Sequence, residues 1–427
     1  MFSGRALFGA GFILCTLTGC NAIFGIVEGL PAEGSGGAGA GGTGSGASGG
    51  NSQCPPFKPD TCDEAYLSDS DNCCIEGRYC QGGNCVDGVC FSAPHGQTVQ
   101  KEESISVVRS GDYVIWSGGY ERAVYRSDTD GDGLVTLVTS GQTDLAYVTT
   151  LAADPNPDGY VFFTDYGGPA IGRAGIENGQ TVRLAEVPAA VVPNAQARWG
   201  RILVHGDYVY WSLDFQATDE NNVQVGKHIW RAPREPAEPL PVVAEMVVKT
   251  EGAFGIAADD TYLYFGHNDI PNSVSTIERL AFADVGVKDG NGDPDPSKRE
   301  ILATASGWVG DVAVDNSNVY WVVENYVFYQ DKNLPQSLIY QFDPFESYVW
   351  GVVSDDRDVY ITTAGDNSSI QGALWRAFIG RSVPPERLYT AEGDAQTPFK
   401  NLYGLTQDCD TVYFVVHEAG LVRRLTK

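Results

Sequence analysis

Polar turns alternate with runs of β-branched and aromatic residues along most of the chain. In each run a turn containing Gly, Asp or Asn is followed by a segment such as "YVYW", which is typical of a strand beginning after a tight turn. Seven copies of this pattern start at intervals of 40 to 56 residues. They occupy residues 111–119, 158–166, 206–214, 260–268, 316–324, 356–364 and 409–417.

Shorter apolar segments flank the seven copies on both sides. Most copies are preceded by a strand that opens with an aromatic or apolar residue and Gly, at 199–204, 254–259, 309–314, 350–355 and 403–408. Glycine suits an innermost strand, where neighbouring backbones approach closely. Every copy is followed by a third strand, at 123–126, 170–173, 228–231, 276–279, 338–341, 373–376 and 421–424.

A fourth strand follows in most repeats, as in 179–186, 299–305 and 386–392. The seventh repeat reaches Lys427 after its third strand, but residues 96–103 resemble 179–186 and are expected to complete its sheet. This pairing would close the ring and remove an open edge. Repeats of this length with four strands each are typical of propeller blades. The sequence predicts an all-β, seven-bladed β-propeller over residues 91–427, with six or eight blades as alternatives.

Arginine recurs at one position of the third strand in six of the seven repeats, with Gln341 in the fifth. Two interpretations fit this pattern: a ring of salt bridges between blades, or a solvated outer face, which is the simpler one. The arginines are Arg126, Arg173, Arg231, Arg279, Arg376 and Arg424.

The "YVYW" and "FFTD" segments resemble the repeats of YWTD- and NHL-type propellers. Only the second copy has the Thr-Asp pair of the YWTD signature, at Thr164 and Asp165. The resemblance implies the fold. It transfers no ligand-binding residue to this chain. Together with the N-terminal features below, the chain resembles a bacterial propeller lipoprotein of a family without an assigned function.

The first 20 residues have the pattern of a lipoprotein signal peptide. Arg5 is followed by a run of 12 mostly apolar residues from Ala6 to Leu17, which is too short to span a bilayer. "LTGC" (17–20) resembles a bacterial lipobox, so we expect Cys20 to be acylated. Asn21 is not the aspartate associated with inner-membrane retention. We therefore expect an exported protein anchored by acyl chains in the outer membrane, facing either the periplasm or the cell surface.

Residues 21–53 are expected to form a flexible tether, because 33–53 consist almost entirely of Gly, Ser and Ala. A random coil of that length has a root-mean-square reach of roughly 25 Å. Residues 54–90 hold seven cysteines and are expected to form a small disulfide-rich module. Zinc binding is the weaker alternative. With Cys409 the count is even, so we expect Cys409 to pair with one of Cys54, Cys62, Cys73, Cys74, Cys80, Cys85 and Cys90.

The net charge of −27 makes nucleic acid an unexpected partner, because such a surface repels phosphate. "DTDGDG" (128–133) places Asp128, Asp130 and Asp132 at the spacing of a calcium loop, although Thr139 replaces the usual Glu. A plain acidic turn is the simpler interpretation, since turns also favour Asp and Gly. "DGNGDPD" (289–295) is a weaker version of the same pattern. Calcium is therefore the one cofactor that the sequence suggests.

Aromatic residues that open the inner strands are expected to gather at one mouth of the central channel. There they could stack on sugar rings or apolar side chains, or simply pack blade against blade. These candidates for ligand binding are Trp199, Phe254, Trp308, Trp350 and Tyr403.

The sequence contains no established catalytic motif. The five histidines form no pair at metal-ligand spacing, and the inner strands offer Asp311 without an accompanying set of acidic or amide residues. We therefore expect a non-enzymatic propeller that binds a glycan, peptide or protein in the cell envelope. One alternative is a calcium-dependent envelope hydrolase or lactonase of the propeller type. Another is a structural scaffold for an envelope complex.

Overall fold

The computed structural model describes most of the region from Ala93 onward and two short strands before it. Cys20, most of the cysteine block and Trp199 lie outside the described residues. The described residues are 68, 85–86, 89–90, 93–97, 103–119, 121–139, 148–165, 170–188, 200–213, 228–237, 239–250, 252–269, 274–334, 339–342, 344–355, 357–365, 371–380, 383–391 and 401–427.

Seven sheets, each built on four antiparallel blade strands, form a β-propeller, which confirms the predicted all-β fold and blade count. A separate two-stranded sheet precedes them, formed by β1 (Cys85–Val86) and β2 (Val89–Cys90). The strands of blades 1 and 2 are β4 (Val107–Ser110), β5 (Tyr113–Gly118), β6 (Ala123–Asp128), β7 (Val135–Val138), β8 (Val148–Ala153), β9 (Tyr160–Asp165), β10 (Ala170–Gly175) and β11 (Thr181–Glu186).

Blades 3 and 4 continue the same order from the axis outward. A short additional strand, β15 (Val242–Val243), leaves blade 3 and pairs in parallel with β11 at the outer edge of blade 2. The four-stranded sheets themselves contain β12 (Ile202–His205), β13 (Tyr208–Ser212), β14 (Ile229–Pro233), β16 (Glu245–Val248), β17 (Ile256–Ala258), β18 (Tyr262–Asp269), β19 (Val274–Ala281) and β20 (Arg299–Ser306).

Blades 5 to 7 complete the ring, with β3 (Ala93–Gln97) as the outermost strand of blade 7. Their other strands are β21 (Val309–Val314), β22 (Asn318–Val323), β23 (Tyr326–Asp331), β24 (Tyr340–Gln341), β25 (Val349–Ser354), β26 (Asp358–Thr363), β27 (Ala373–Phe378), β28 (Glu386–Thr390), β29 (Leu402–Gln407), β30 (Thr411–Val416) and β31 (Leu421–Thr426).

Helical structure in the described residues is confined to three single turns of 3₁₀-helix. They are Phe282–Asp284, Pro296–Lys298 and His417–Ala419. No helix among the described residues is long and apolar enough to cross a bilayer.

The sequence predicted that an N-terminal strand closes the ring, but it placed that strand at different residues. β3 covers 93–97 and pairs with β31, whereas the sequence pattern pointed to 96–103. The similarity of 96–103 to 179–186 was misleading because a bulge between Pro94 and Gly96 shifts the pairing towards the N-terminus. His95 is thereby buried beneath the ring of Tyr413, with centroids 5.1 Å apart.

The predicted strand order in blade 5 was wrong. Its third strand is β23 (Tyr326–Asp331), and the segment 338–341 supplies the fourth strand, β24. Tyr329 pairs with Tyr320 just as Arg279 pairs with Tyr264, so Tyr329, and not Gln341, stands at the arginine position. The two-residue turn after β22, Glu324-Asn325, carries no Gly or Asp cluster, which hid the third strand from the sequence pattern.

Four of the six third-strand arginines, Arg126, Arg173, Arg279 and Arg424, link neighbouring blades through backbone carbonyl groups. Arg126 also forms a salt bridge with Glu177 of the next blade, whereas the salt bridges of Arg231, Arg279 and Arg376 are to glutamates of their own blades. Arg126 Nη1 donates to the Ile176 carbonyl of blade 2 at 2.6 Å, and Arg279 Nη1 donates to the Lys332 carbonyl of blade 5 at 2.6 Å. Arg173 and Arg424 make equivalent bonds to Arg234 and Thr129. The guanidinium groups also stack 4.2 to 4.4 Å from tyrosine rings, at Tyr113, Tyr160, Tyr208 and Tyr262.

A second repeated device lies in the turns between the first and second strands. Asp259 Oδ1 accepts hydrogen bonds from the N–H groups of Thr261 and Tyr262, while its Oδ2 lies 2.7 Å from Lys332 Nζ of the next blade. Equivalent pairs join successive blades at Asp154–Arg234, Asp355–Lys427 and Asp408–Arg109, and Asp315 accepts from Ser354. We call this end of the propeller the turn end.

Burial alone would raise the pKa of Asp259 and of Asp355. Hydrogen bonds and charge from Lys332 and Lys427, together with the turn N–H groups, hold both pKa values below their ordinary range. Each carboxylate therefore both caps its own turn and attracts a cation from the adjacent blade. The turn end is thus assembled from one motif used repeatedly.

Candidate functional site

The central channel is lined mainly by two adjacent positions of the inner strands. One of them is apolar in the lining: Val107, Leu151, Ile202, Ile256, Val352 and Leu405. Each of these six pairs with a buried aromatic or apolar residue of the second strand, as Ile202 does with Trp211 and Ile256 with Phe265. The space between the lining residues, counted together with the open solvent at its mouth, is about 490 Å³.

The residue just before each apolar position is small in five blades: Ser106, Thr150, Gly255, Gly351 and Gly404. Crowding explains this choice. A Cβ atom on Gly255 would lie 2.6 Å from the carbonyl carbon of Asp311, and one on Gly404 would lie 2.7 Å from Ser106 Cα. We call this the small position. Blades 3 and 5 depart from it, because they carry Arg201 and Asp311 there.

Arg201 and Asp311 bridge the channel two blades apart. Arg201 Nε donates to Asp311 Oδ1 at 3.1 Å, and Nη2 donates to Oδ2 at 3.0 Å. Nη2 also donates to the Trp350 carbonyl at 2.7 Å. Three bonds therefore orient the guanidinium group. Its Nη1 has no hydrogen-bond partner among the residues that the structure describes, and the Arg201 side chain is 25% exposed.

The Asp311 carboxylate is almost completely buried, at 6% exposure. Burial raises its pKa above the ordinary value, although the Arg201 charge and the Val352 N–H, which donates at 3.3 Å, oppose this. A buried ion pair is seldom needed for stability, because apolar or small neutral groups serve as well or better. Its presence at a position that is otherwise small indicates a functional role.

Three aromatic side chains lie at the mouth, and the ring of one of them, Phe254, is near the Arg201 guanidinium group. The Phe254 ring centroid lies 5.9 Å from its carbon atom, and the Trp350 and Tyr403 rings meet edge to face with centroids 4.5 Å apart. All three side chains are half-buried. The Trp350 indole Nε1 is buried without a hydrogen-bond partner. The rings therefore combine apolar faces with an unsatisfied donor.

His417 lies behind Tyr403, with ring centroids 4.4 Å apart. Its Nδ1 is 2.7 Å from the Ser104 carbonyl, so Nδ1 carries the hydrogen, and Nε2 lies 3.7 Å from a Glu103 carboxylate oxygen. Burial, with added effects of Glu418 and Glu103, raises the pKa of the Tyr403 phenol. Tyr403 therefore remains protonated at neutral pH.

Hydrogen bonds connect neighbouring blades at every junction around the axis, through a polar side chain at six junctions and through backbone groups at the seventh. Ser106 Oγ accepts from Leu151 N at 3.1 Å, in the same way that Asp311 accepts from Val352 N. We call these seven links the axial girdle. The other five are Thr150 to the Gly200 carbonyl, Ser212 to the Phe254 carbonyl, Asn268 with both backbone groups of Val309, Thr362 to the Tyr403 carbonyl, and the Ser104 N–H to the His417 carbonyl.

Of the five aromatic candidates from the sequence, Phe254, Trp350 and Tyr403 come together at the mouth. Trp308 instead approaches Gly252 of the adjacent blade: its indole would lie 3.8 Å from a Cβ there. Trp199 lies outside the described residues. The ligand-binding role of the three mouth residues stays a prediction.

Arg201 was missed because the sequence pattern aligned it wrongly. Trp199-Gly200 looks equivalent to Phe254-Gly255, but strand pairing makes Arg201, and not Gly200, the equivalent of Gly255. Counting back from the second-strand aromatic residue would have placed Arg201 and Asp311 at the same position. His417 and Glu103 carried no signal in the sequence.

The predicted calcium loop forms a compact turn. The Asp128 N–H donates to the Asp132 carbonyl and the Gly131 N–H to the Asp128 carbonyl, both at 2.9 Å. Gly131 has φ +96° and packs against the backbone of His95, so the loop covers the closing strand. No group of three or more His, Cys, Asp or Glu side chains suited to a metal occurs among the described residues. Calcium binding by Asp128, Asp130 and Asp132 stays a prediction.

Two of the cysteines in the predicted disulfide set have described side chains. Cys85 and Cys409 are both disulfide-bonded, and Cys409 lies in the turn between β29 and β30. The side chains of Cys54, Cys62, Cys73, Cys74, Cys80 and Cys90 lie outside the described residues. The disulfide-rich module and its pairing stay predictions.

Comparison with known proteins shows the fold. No protein-family model and no curated protein matches the sequence. Solved structures do match. A streptogramin B lyase covers 79% of this chain and 97% of its own at 14% identity and TM-score 0.53. Virginiamycin B lyase from Staphylococcus aureus covers 79% and 98% at 15% identity and TM-score 0.55.

A third match is the extracellular domain of a one-component system from B. thetaiotaomicron. It has 10% identity and a TM-score of 0.51, and the alignment covers 79% of this chain and 42% of that one. At such identities these likenesses show a shared β-propeller fold, and the site must be interpreted from its own residues.

Proposed function

We propose that the protein is a binding propeller of the cell envelope, anchored in the outer membrane through acyl chains on Cys20. Residues 21–53 would act as the tether and 54–90 as the disulfide module, so that the propeller stands clear of the membrane. Its mouth would then accept a glycan, peptide or protein ligand. The support for binding is the mouth that Arg201, Trp350 and Tyr403 form.

One observation carries this proposal: a charged pair occupies the small position. The crowded axis favours Gly, Ser or Thr there, yet Arg201 and Asp311 are placed so that their charges cancel and the guanidinium is held in one orientation. Pre-orientation of polar groups in a concave site with aromatic walls is typical of ligand binding.

The test is ligand binding by a soluble form that begins at Asn51. We would measure thermal shifts and calorimetric titrations with glycans, peptides and cell-wall fragments. A ligand at a hundred times its Kd should add about 2.7 kcal/mol to the free energy of unfolding.

The decisive variant is the double substitution R201S/D311S, which gives blades 3 and 5 the residue that blade 1 has at the small position. It should fold and should lose binding. The control is K249S/D293S, which removes an exposed pair with a 2.6 Å contact and should bind normally. Undiminished binding by R201S/D311S would overturn the proposal. Absence of any ligand would leave the scaffold role as the better explanation.

Anchoring is tested separately by the Cys20→Ser variant of the full chain. We expect the wild-type protein in the outer-membrane fraction and in the detergent phase, and the variant in the soluble fraction. A wild-type protein that partitions into the soluble fraction would contradict acylation.

An envelope hydrolase or lyase is the second candidate. His417 favours it, because its imidazole lies behind Tyr403 with Nδ1 on the Ser104 carbonyl and Nε2 3.7 Å from a Glu103 carboxylate oxygen, and a histidine beside a carboxylate is a common proton-transfer pair. Two structural neighbours are named as lyases, but they share only the fold with this chain. Mass spectrometry of any bound ligand after incubation would reveal turnover, and His417→Gln should abolish it.

A further inference from the structure

Resting on the proposed binding function, we infer that the ligand is an uncharged carbohydrate whose pyranose ring stacks on the mouth aromatics and whose oxygens accept hydrogen bonds from Arg201 Nη1. Four properties of the mouth lead to this ligand class: its charge balance, its unused donors, its aromatic faces and its occupied strand edges.

The charge balance of the mouth disfavours ionic ligands. Arg201 and Asp311 neutralise each other through two hydrogen bonds, so this pair offers neither a carboxylate nor an ammonium group an uncompensated opposite charge. The chain as a whole carries −27, which repels anions as they approach. A cation would meet the outward N–H groups of Arg201. An uncharged ligand is therefore favoured.

The hydrogen-bonding groups left over at the mouth are donors. Arg201 Nη1 lacks a partner among the described residues, and the Arg201 side chain lines the cavity and is 25% exposed. A ligand that supplies acceptors can therefore form charge-assisted hydrogen bonds with it. Hydroxyl and ring oxygens of a sugar supply several acceptors at short spacing.

Aromatic faces beside these donors favour a ring-shaped ligand. Phe254, Trp350 and Tyr403 are half-buried, and the Phe254 ring lies 5.9 Å from the guanidinium carbon of Arg201. The C–H face of a pyranose is apolar while its edge is polar, which matches apolar rings with donors beside them. One ligand can then satisfy both features at once.

Occupied strand edges disfavour an extended peptide. Peptides commonly bind by adding a strand to an open sheet edge. Here the inner strands use edge groups in the axial girdle, including Leu151 N, Val352 N and the carbonyl groups of Gly200, Phe254 and Tyr403. A peptide backbone would have to break these bonds.

The experiment is calorimetric titration of the soluble form with uncharged oligosaccharides: cellohexaose, maltohexaose and N-acetylated chitotetraose. Tetragalacturonate serves as the anionic comparison and an uncharged hexapeptide as the peptide comparison. We expect at least one uncharged sugar to bind, with binding lost in R201S/D311S. Trp350→Phe keeps a ring but reduces the aromatic face available for stacking, so it should weaken binding about tenfold.

Each outcome separates the two proposals. Mouth-dependent binding of tetragalacturonate or of the peptide, without binding of the sugars, overturns this inference and leaves the binding function standing. Sugar binding that R201S/D311S and Trp350→Phe both leave unchanged overturns the assignment to the mouth. Failure of all three sugars to bind overturns the inference, and failure of every probe counts against the binding function as well.

Discussion

The two ends of this propeller are built on different principles. At the turn end, most blades repeat one device: an aspartate caps its own turn and pairs with a cation or hydroxyl of the next blade, as Asp259 does with Lys332 and Asp355 with Lys427. At the mouth, the links of the axial girdle are mostly neutral, and one pair, Arg201 and Asp311, departs from the repeat.

This difference shows where stability and function are to be sought. A device that recurs from blade to blade serves the closure of the ring, because every junction needs it. The Arg201–Asp311 pair departs from the repeat at one position, so closure of the ring does not require it, and burying its charges costs free energy. Turn-end substitutions should therefore change the free energy of unfolding, and mouth substitutions should change binding.

The largest expected effect comes from breaking the most buried turn-end pair. Lys427→Met leaves Asp355, which is 7% exposed, without its cation. An uncompensated buried charge should lower the free energy of unfolding by about 3 to 5 kcal/mol, measured by chemical denaturation. The control Lys249→Met removes one partner of an exposed pair and should cost less than about 1 kcal/mol. Equal effects of the two variants would contradict the structural role of the turn end.

The closing strand should make folding pH-dependent through His95. Burial, together with the nearby Arg424 charge, lowers the pKa of His95 to about 4. In the unfolded chain its pKa is about 6.5, so between these values only the unfolded state binds the extra proton. Stability from this residue is present above pH 6.5 and is lost as the pH falls towards 4.

By linkage this contribution reaches roughly 3 kcal/mol. Denaturation curves at several pH values between 7 and 4.5 should show a smaller slope for His95→Gln than for the wild type. Carboxylates titrate in both proteins and cancel in the comparison. Parallel slopes would show that His95 is not buried in a neutral form.

Crowding at the axis is tested by Gly255→Ala. The new Cβ would lie 2.5 Å from Val312 N and 2.6 Å from the Asp311 carbonyl carbon. Backbone must move to relieve this, so we expect a loss of about 1 to 3 kcal/mol in denaturation. Gly290→Ala is the control, since nothing lies within 4 Å of its Cβ. A neutral Gly255→Ala would mean that the small position is not imposed by packing.

The smallest effect concerns the blade that lacks the interblade arginine. Tyr329 takes the arginine position in blade 5, and its hydroxyl accepts from Gly380 N of blade 6 at 3.3 Å. Tyr329→Phe should cost about 1 kcal/mol of unfolding free energy. Tyr340→Phe, in the adjacent strand, should cost less. If Tyr340→Phe lowered the free energy of unfolding more than Tyr329→Phe, the Tyr329 hydroxyl would not count among the interblade links.

The repeat pattern was enough to predict the fold because each blade carries the same strand signals. Tyr208–Ser212 and its six counterparts are all second strands. The errors arose where pairing registers depend on contacts between distant residues. The bulge beside His95 moved the closing strand, and the short turn after Val323 concealed β23.

The site was only partly predictable for the same reason. Aromatic residues before glycine marked Phe254, Trp350 and Tyr403. The pairing of Arg201 with Asp311 joins residues 110 positions apart across the channel, which no local pattern reveals. That Trp350 Nε1 is buried without a hydrogen-bond partner likewise depends on packing, which no local sequence pattern reveals.

The most direct test compares one substitution at each end in the same two assays. We would measure the free energy of unfolding and the binding of cellohexaose, maltohexaose and N-acetylated chitotetraose for the wild type, Lys427→Met and R201S/D311S. Binding would be measured under conditions in which Lys427→Met remains folded. We expect Lys427→Met to lose stability and keep binding, and R201S/D311S to keep stability and lose binding. Loss of stability and retention of binding in R201S/D311S would contradict this expectation.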